Sequence, residues 1–132
     1  MTSTALQGES LQASLTVNDL EASAKWYVDM LGFTISRRVE RDGKLRGIAL
    51  AAGNVKILLN QDDGAKGRSR SKGEGMSFMV TTAQDIDPIA ANIKERGGAL
   101  DTEPTDTPWG ARIFRVRDPD NFRWTISRPT TT

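Results

Sequence analysis

The sequence predicts an α+β domain built from two consecutive βαβββ modules. Three observations support this fold class: short segments with alternating apolar residues, two longer segments with helical periodicity, and the same element order in both halves. Asp19 and Gly32 bound the first predicted helix, and Asp85 and Gly98 stand at the same separation in the second half. Because one such module leaves half of its sheet uncovered, we expect two modules to pair, within one chain or between two.

The first module is predicted over residues 11–60, after an N-terminal tail of residues 1–10. Apolar and polar residues alternate over residues 11–17, which predicts a strand with one apolar face. Asn18 or Asp19 can cap a helix over Leu20–Leu31, and Gly32 can end it. Three further strands are predicted over residues 33–40, 45–51 and 55–60.

The second module is predicted over residues 76–128, between a linker of residues 61–75 and a C-terminal tail of residues 129–132. Its strands are predicted over residues 76–81, 99–103, 111–117 and 122–127. Asp85 or Asp87 can cap the second helix, with Pro88 in the first turn and glycine at its end. The linker carries the basic residues Lys66, Arg68, Arg70 and Lys72. We interpret them as scattered charge in a hydrophilic linker rather than as a nucleic-acid-binding patch.

The composition excludes several classes of function. The 132 residues include no cysteine and no histidine, so disulfides, thiolate zinc sites, thiol nucleophiles and a Ser-His triad are excluded. A net charge of +1 gives no electrostatic reason to expect nucleic acid or an anionic membrane as a partner. No apolar run approaches the ~20 residues of a membrane span, and the first ten residues lack a signal-peptide core. A cytoplasmic protein is therefore predicted.

Two strings resemble the vicinal oxygen chelate superfamily of glyoxalases, bleomycin-resistance proteins and extradiol dioxygenases. The first runs from Leu15 through Asn-Asp, an aromatic pair in the helix, and Leu-Gly-Phe ending at Phe33; the second is Asp118-Pro-Asp before the last strand. The family usually continues with glycine, and Asn121 stands there, a residue that tolerates a left-handed turn. The resemblance covers residues 11–127 and implies a curved mixed sheet around a cavity, with the helices outside.

The resemblance also implies a divalent metal in that cavity, with ligands at four positions. Transferred to this sequence, these positions are Gln12, Leu58, Gly75 (or Met76 if the register slips) and Thr125. Among them only Gln12 is a ligand of the expected kind, through a neutral amide oxygen. We therefore expect no metal site and no cofactor, and the metal chemistry shared by the family loses its basis.

Strand alternation from the same positions predicts which residues line the cavity. The predicted ligand-binding residues are Gln12, Ser14, Lys56, Leu58, Asn60, Ser77, Met79, Arg115, Arg123 and Thr125, with Trp109 at the cavity mouth. Arginine suits planar carboxylate, phosphate or sulfate groups, so a polar or anionic ligand is expected. The alternatives are that several of these residues lie on solvated sheet and that Trp109 fills an interface.

Three functions remain open from the sequence, and no catalytic residue is identified. The favoured one is a metal-free small-molecule-binding protein that resembles the bleomycin-resistance branch and sequesters its ligand as a homodimer. The second is a lyase or isomerase with an unusual site, in which Gln12, Arg115 and Arg123 polarise a substrate oxygen. The third is a non-catalytic module that binds a partner protein. Fold alone does not decide among them.

Overall fold

The computed structural model describes residues 4–67 and 69–130. These ranges contain eight strands and two helices in the order βαβββ–βαβββ. The elements are β1 (Ala13–Val17), α1 (Leu20–Leu31), β2 (Thr34–Arg41), β3 (Lys44–Ala52), β4 (Val55–Gln61), β5 (Ser77–Thr81), α2 (Asp87–Glu95), β6 (Leu100–Asp106), β7 (Ala111–Arg117) and β8 (Arg123–Pro129). The predicted α+β fold class is confirmed.

Each module forms one mixed four-stranded sheet with the same topology. The strand order is β1-β4-β3-β2 in the first sheet and β5-β8-β7-β6 in the second. The pairs β1–β4 and β5–β8 are parallel, and the other neighbours are antiparallel. In each module the helix connects the two edge strands of the sheet and packs over one face. The opposite face of each sheet is left without a helix.

The first helix has the predicted bounds, and the second has a different cap. Asp19 caps α1 by accepting a 3.1 Å hydrogen bond from the Ala22 N–H, and Gly32 ends the helix in a left-handed conformation. The prediction that Asp85 or Asp87 caps α2 is wrong, because the capping position is Ile86 and no side chain caps that end. The Asp87 carboxylate accepts hydrogen bonds from the Arg112 guanidinium instead, and this cation lowers the pKa of Asp87.

The two modules pair within this chain through one continuous core. The buried apolar residues include Leu20, Tyr27, Ile48 and Leu59 from the first module and Ile86, Ile93, Phe114 and Trp124 from the second. Aromatic rings cross the boundary: the Trp124 ring centroid lies 5.7 Å from that of Tyr27 and 6.3 Å from that of Phe33, both edge to face. The two modules therefore share a core within this chain.

Strand ends differ from the prediction in two informative places. Strand β1 pairs with β4 only from Ala13 onward, so residues 11 and 12 precede the strand. Strand β6 continues through Pro104 to Asp106, beyond the predicted end. A proline is compatible with β6 because that strand is the outer edge of its sheet. Among the described residues, no helix is long and apolar enough to cross a membrane.

Candidate functional site

The helix-free faces are the sides of the two sheets that point away from α1 and α2. On the first sheet this face carries Ser14, Thr16, Ala49, Lys56, Leu58 and Asn60; on the second it carries Ser77, Met79, Arg115, Arg123, Thr125 and Ser127. The alternate residues of the same strands, such as Leu59 and Trp124, are buried under the helices. Most of the residues predicted to line a cavity thus lie on one or the other of these two faces.

Two of the predicted residues lie elsewhere. Gln12 precedes β1 and is exposed, because the strand begins one residue later. Trp109 lies in the turn between β6 and β7 with 62% of its surface exposed. That turn is fixed by Thr107, whose hydroxyl and backbone N–H both donate to the Ala111 carbonyl. Trp109 therefore stands on an ordered turn, away from the core.

Hydrogen bonds join neighbouring strands on both helix-free faces. On the first, the Asn60 side-chain amide donates to the Ser14 hydroxyl at 2.8 Å. On the second, the Arg115 Nε donates to the Thr125 hydroxyl at 3.4 Å, and Thr125 is buried. This contact places the Arg115 guanidinium beside the central strand of the second sheet. The exposed atoms of the Asn60 amide and of the Arg115 guanidinium can still bind a ligand.

Four cations on the helix-free faces have no carboxylate partner among the described residues: Arg37, Lys56, Arg115 and Arg123. These four side chains therefore give the helix-free faces positive charge that no described carboxylate neutralises. A fifth cation, Arg117, is neutralised by Asp101 at 2.6 Å.

Arg37 was not predicted as a site residue. It lies opposite Ala49, on the helix-free face, because β2 has a register irregularity between Ile35 and Arg37. Because such an irregularity interrupts the alternation of side chains, alternation does not predict which face the following residues occupy. Its neighbour Arg38 lies on the helix side, where it contacts Glu21 of α1 at 2.7 Å. The sequence contains no residue type that would have located the irregularity.

The residues at the four transferred ligand positions do not fit a divalent metal. Leu58 and Gly75 have no donor atom in their side chains, and Thr125 holds its hydroxyl beside the Arg115 guanidinium. Gln12 supplies one neutral amide, and the nearby charges are cationic. No cluster of three or more carboxylates that could hold a metal occurs among the described residues. This donor set lacks both the imidazoles and the carboxylates that such a site needs.

A buried polar network joins the two modules behind these faces. The Tyr27 hydroxyl donates to Asp118 Oδ2 at 2.6 Å and accepts from Trp124 Nε1 at 2.9 Å. Burial raises the pKa of Asp118 to about 6 despite its hydrogen bonds, and burial beside that carboxylate raises the pKa of Tyr27. Both residues lie in the core, so we assign the network to module pairing and not to catalysis.

The linker is also attached to the core. The Lys72 ammonium lies 2.8 Å from Asp62 Oδ2 and donates to Asn18 Oδ1 at 2.7 Å, and its side chain is only 6% exposed. The hydrogen bond from Lys72 is the main reason that the pKa of Asp62 is lowered to about 2. The interpretation of Lys72 as solvated linker charge is therefore wrong, since the sequence does not show its buried partners. Arg68 lies outside the described residues.

Comparison with known proteins identifies the family. The model of the glyoxalase/bleomycin resistance protein/dioxygenase superfamily matches residues 10–126. The chain belongs to this superfamily. This confirms the resemblance drawn from the Asn-Asp, Leu-Gly-Phe and Asp-Pro-Asp strings.

Among its relatives, the uncharacterized protein YraH of Bacillus subtilis is 29% identical over 84% of this chain and 91% of its own length. A probable lactoylglutathione lyase of Synechocystis is 25% identical over 86% of this chain and 89% of its own. The crystal structure of TioX from Micromonospora superimposes with a TM-score of 0.74 over 92% of this chain and 99% of that one, at 23% identity. The last likeness shows a shared fold.

Proposed function

We propose that this superfamily member binds a small organic anion on its helix-free faces, with guanidinium and ammonium groups in place of a metal. The observation that carries the proposal is the set of four cations there without carboxylate partners among the described residues. An anion would supply the missing negative charge, and arginine binds carboxylate, phosphate or sulfate in bidentate geometry.

The remaining residues of these faces favour a ligand with a flat apolar body. Leu58 lies on one face, and Met79, with 62% of its surface exposed, lies on the other. Thioether and aliphatic side chains provide adaptable contacts for an aromatic ring. Hydrogen-bonding groups of Ser14 and Asn60 adjoin Leu58 and could orient polar substituents. The ligand class is thus a planar aromatic carboxylate, phosphate or sulfate.

Binding without turnover is the activity we favour. The residues assigned to the helix-free faces are mainly cations, hydroxyls and amides, and Asp101, the carboxylate that contacts one of these cations, is engaged by Arg117 rather than available as a general base. Sequestration of a toxic or signalling molecule needs only affinity. We also propose that the protein acts as a cytoplasmic homodimer, as the resemblance to bleomycin-resistance proteins implies.

The second candidate is a lyase or isomerase reaction. It is favoured by the similarity to the probable lactoylglutathione lyase of Synechocystis over most of both chains. In that case Arg115 and Arg123 would polarise a substrate oxygen, and incubation with substrate would yield a product. Under sequestration the same incubation yields bound, unchanged ligand, so analysis of the released molecule by mass spectrometry separates the two.

A titration followed by two-dimensional amide NMR tests the location of the site. Salicylate is a suitable probe because it is planar, aromatic and anionic. We expect saturable shifts in β4, β7 and β8 that are lost in the Arg115→Gln and Arg123→Gln variants. Arg117→Gln is the matched control, because Arg117 shares β7 with Arg115 but is neutralised by Asp101. Shifts confined to the helices, or equal losses in all three variants, would refute the site.

A further inference from the structure

A neutral cleft of about 790 Å³ lies at the junction of the modules, away from the helix-free faces. Its apolar walls include Leu31, Phe33, Val55, Val80, Ile89 and Trp124. The polar residues that line it are amides and hydroxyls, and no charged side chain takes part. Such a cleft suits an apolar occupant and would not attract the anion proposed above.

Two exposed leucines lie in the segment just before β1. In residues 6–12, Leu6 and Leu11 are 92% and 95% exposed. Burial of such a side chain against an apolar surface would be favourable by about 1.5–3 kcal/mol. Leu11 is separated from β1 by a single residue, so it can reach the end of the sheet without any rearrangement of the fold.

The register of β1 on β4 fixes where Leu11 would go. The parallel pairs run from Ala13 with Ile57 to Val17 with Gln61. Continuing this register backward by two residues places Leu11 opposite Val55. Because side chains alternate along a strand, Leu11 would share the helix side with Ala13. Val55 is a wall of the neutral cleft, so the leucine would enter it.

We propose that the N-terminal segment, residues 6–12, closes over the neutral cleft of its own chain by extending β1, with Leu11 as the anchor. The structure shows the open arrangement. Chain connectivity favours this occupant over a second copy, because Leu11 is already tethered beside the cleft at high effective concentration. Closure also carries Gln12 to the helix-free face, opposite Lys56 in the same register, where its amide joins the proposed anion site.

The absence of cysteine in the chain permits a direct cross-linking test. Directly opposed residues of neighbouring strands have Cα atoms within the range that a disulfide spans. In the double variant Leu11→Cys/Val55→Cys, we expect an intrachain disulfide under mild oxidation, identified by mass spectrometry of the monomer. The matched control is Leu6→Cys/Val55→Cys. Its first cysteine replaces a leucine that is similarly exposed but does not face Val55 in the extended register. It should form the bond about tenfold more slowly.

Each result of the cross-linking decides the proposal. A disulfide-linked dimer would mean that a second copy fills the cleft, and equal rates in the two variants would mean that nothing anchors Leu11. Either result would overturn the proposal.

Binding of the neutral dye N-phenyl-1-naphthylamine gives a second test without engineered cysteines. Dye binding should increase in Leu11→Ser and stay unchanged in Leu6→Ser. An unchanged signal in both variants would also overturn the proposal. None of these readings depends on anion binding, so failure of one proposal leaves the other intact.

Discussion

The Tyr27 hydroxyl on α1 donates a 2.6 Å hydrogen bond to the Asp118 carboxylate in the turn between β7 and β8, and so joins the two modules. The other carboxylate oxygen accepts from the backbone N–H groups of Asp120 and Phe122 at 2.9 Å each. Trp124 completes the network by donating to the Tyr27 hydroxyl. The network holds the start of β8, and therefore Arg123 and Thr125, in place relative to the first module.

Removal of the hydroxyl in Tyr27→Phe should destabilise the protein by about 2 kcal/mol. The change leaves Asp118 Oδ2 and the Trp124 N–H without their hydrogen bonds inside the core, although Asp118 Oδ1 keeps its two backbone donors, and a buried polar group without a partner costs about 1–3 kcal/mol. Urea unfolding measures the change. Ser23→Ala is the control, because the Ser23 hydroxyl is buried on the same helix without a hydrogen-bond partner among the described residues. Ser23→Ala should leave the free energy of unfolding unchanged or raise it slightly. An equal loss of unfolding free energy in the two variants would contradict this account.

Asp118 should make the protein less stable as the pH rises from 4 to 7. Burial raises its pKa to about 6 in the folded state, against about 3.9 in an unfolded chain. Between these values the folded state binds more protons, so the stability contributed below pH ~4 is lost as the pH passes 6.

The pH dependence of urea unfolding for the wild type and Asp118→Asn tests this contribution. We expect the wild type to lose up to about 1 kcal/mol per pH unit relative to the variant. Asp62 has the opposite effect. Because its pKa is about 2, the stability that its carboxylate contributes is lost as the pH falls below 4. A constant difference between the two proteins from pH 4 to 7 would show that Asp118 titrates normally.

The linker should contribute to stability through Lys72 and much less through Arg70. Lys72→Met removes the closest cation to the buried Asp62 carboxylate among the described residues, and it also removes the contact with Asn18. Arg70→Met removes a longer contact of 3.4 Å to the same carboxylate, from a side chain that is 40% exposed. Thermal unfolding should show a clear fall in melting temperature for the first variant and little change for the second. The reverse order would mean that the linker is not fixed as described.

A glycine comparison tests how closely the linker approaches the second module. Gly73 and Gly67 both have positive φ angles, so alanine costs each about 1 kcal/mol in backbone strain. An added Cβ at position 73 would lie 2.8 Å from the Asn121 carbonyl oxygen, whereas at position 67 it meets nothing within 4 Å. Gly73→Ala should therefore lower the free energy of unfolding more than Gly67→Ala. Equal effects in urea unfolding would mean that the linker is not packed against the turn.

Local patterns predicted the fold well because each module is regular in the sequence. The stripe of α1, its Asp19 cap, the left-handed Gly32 and the left-handed Asn121 are all local features, and the structure has each of them. Strand alternation placed Lys56 and Arg123 on the faces they occupy, because β4 and β8 pair without register shifts.

Features that depend on distant contacts were not predictable in this way. Asp118 and Lys72 were assigned to a turn and a linker, where charged residues are usually solvated. Their burial depends on partners 91 and 54 residues away, Tyr27 and Asn18. Arg37 was missed for a different reason, the register irregularity in β2. Pairing specificity between remote segments leaves no local signal in a single sequence.

Calorimetric titration of salicylate into protein stripped of metal with EDTA tests the central claim most directly. The claim is that arginine and lysine side chains, without a metal, hold an organic anion on the helix-free faces. We predict saturable binding that persists in EDTA, weakens with salt and falls by at least about tenfold in Arg115→Gln/Arg123→Gln, with Arg117→Gln unchanged. Binding that is absent in EDTA and restored by a divalent metal would contradict the account and favour a metal-dependent enzyme.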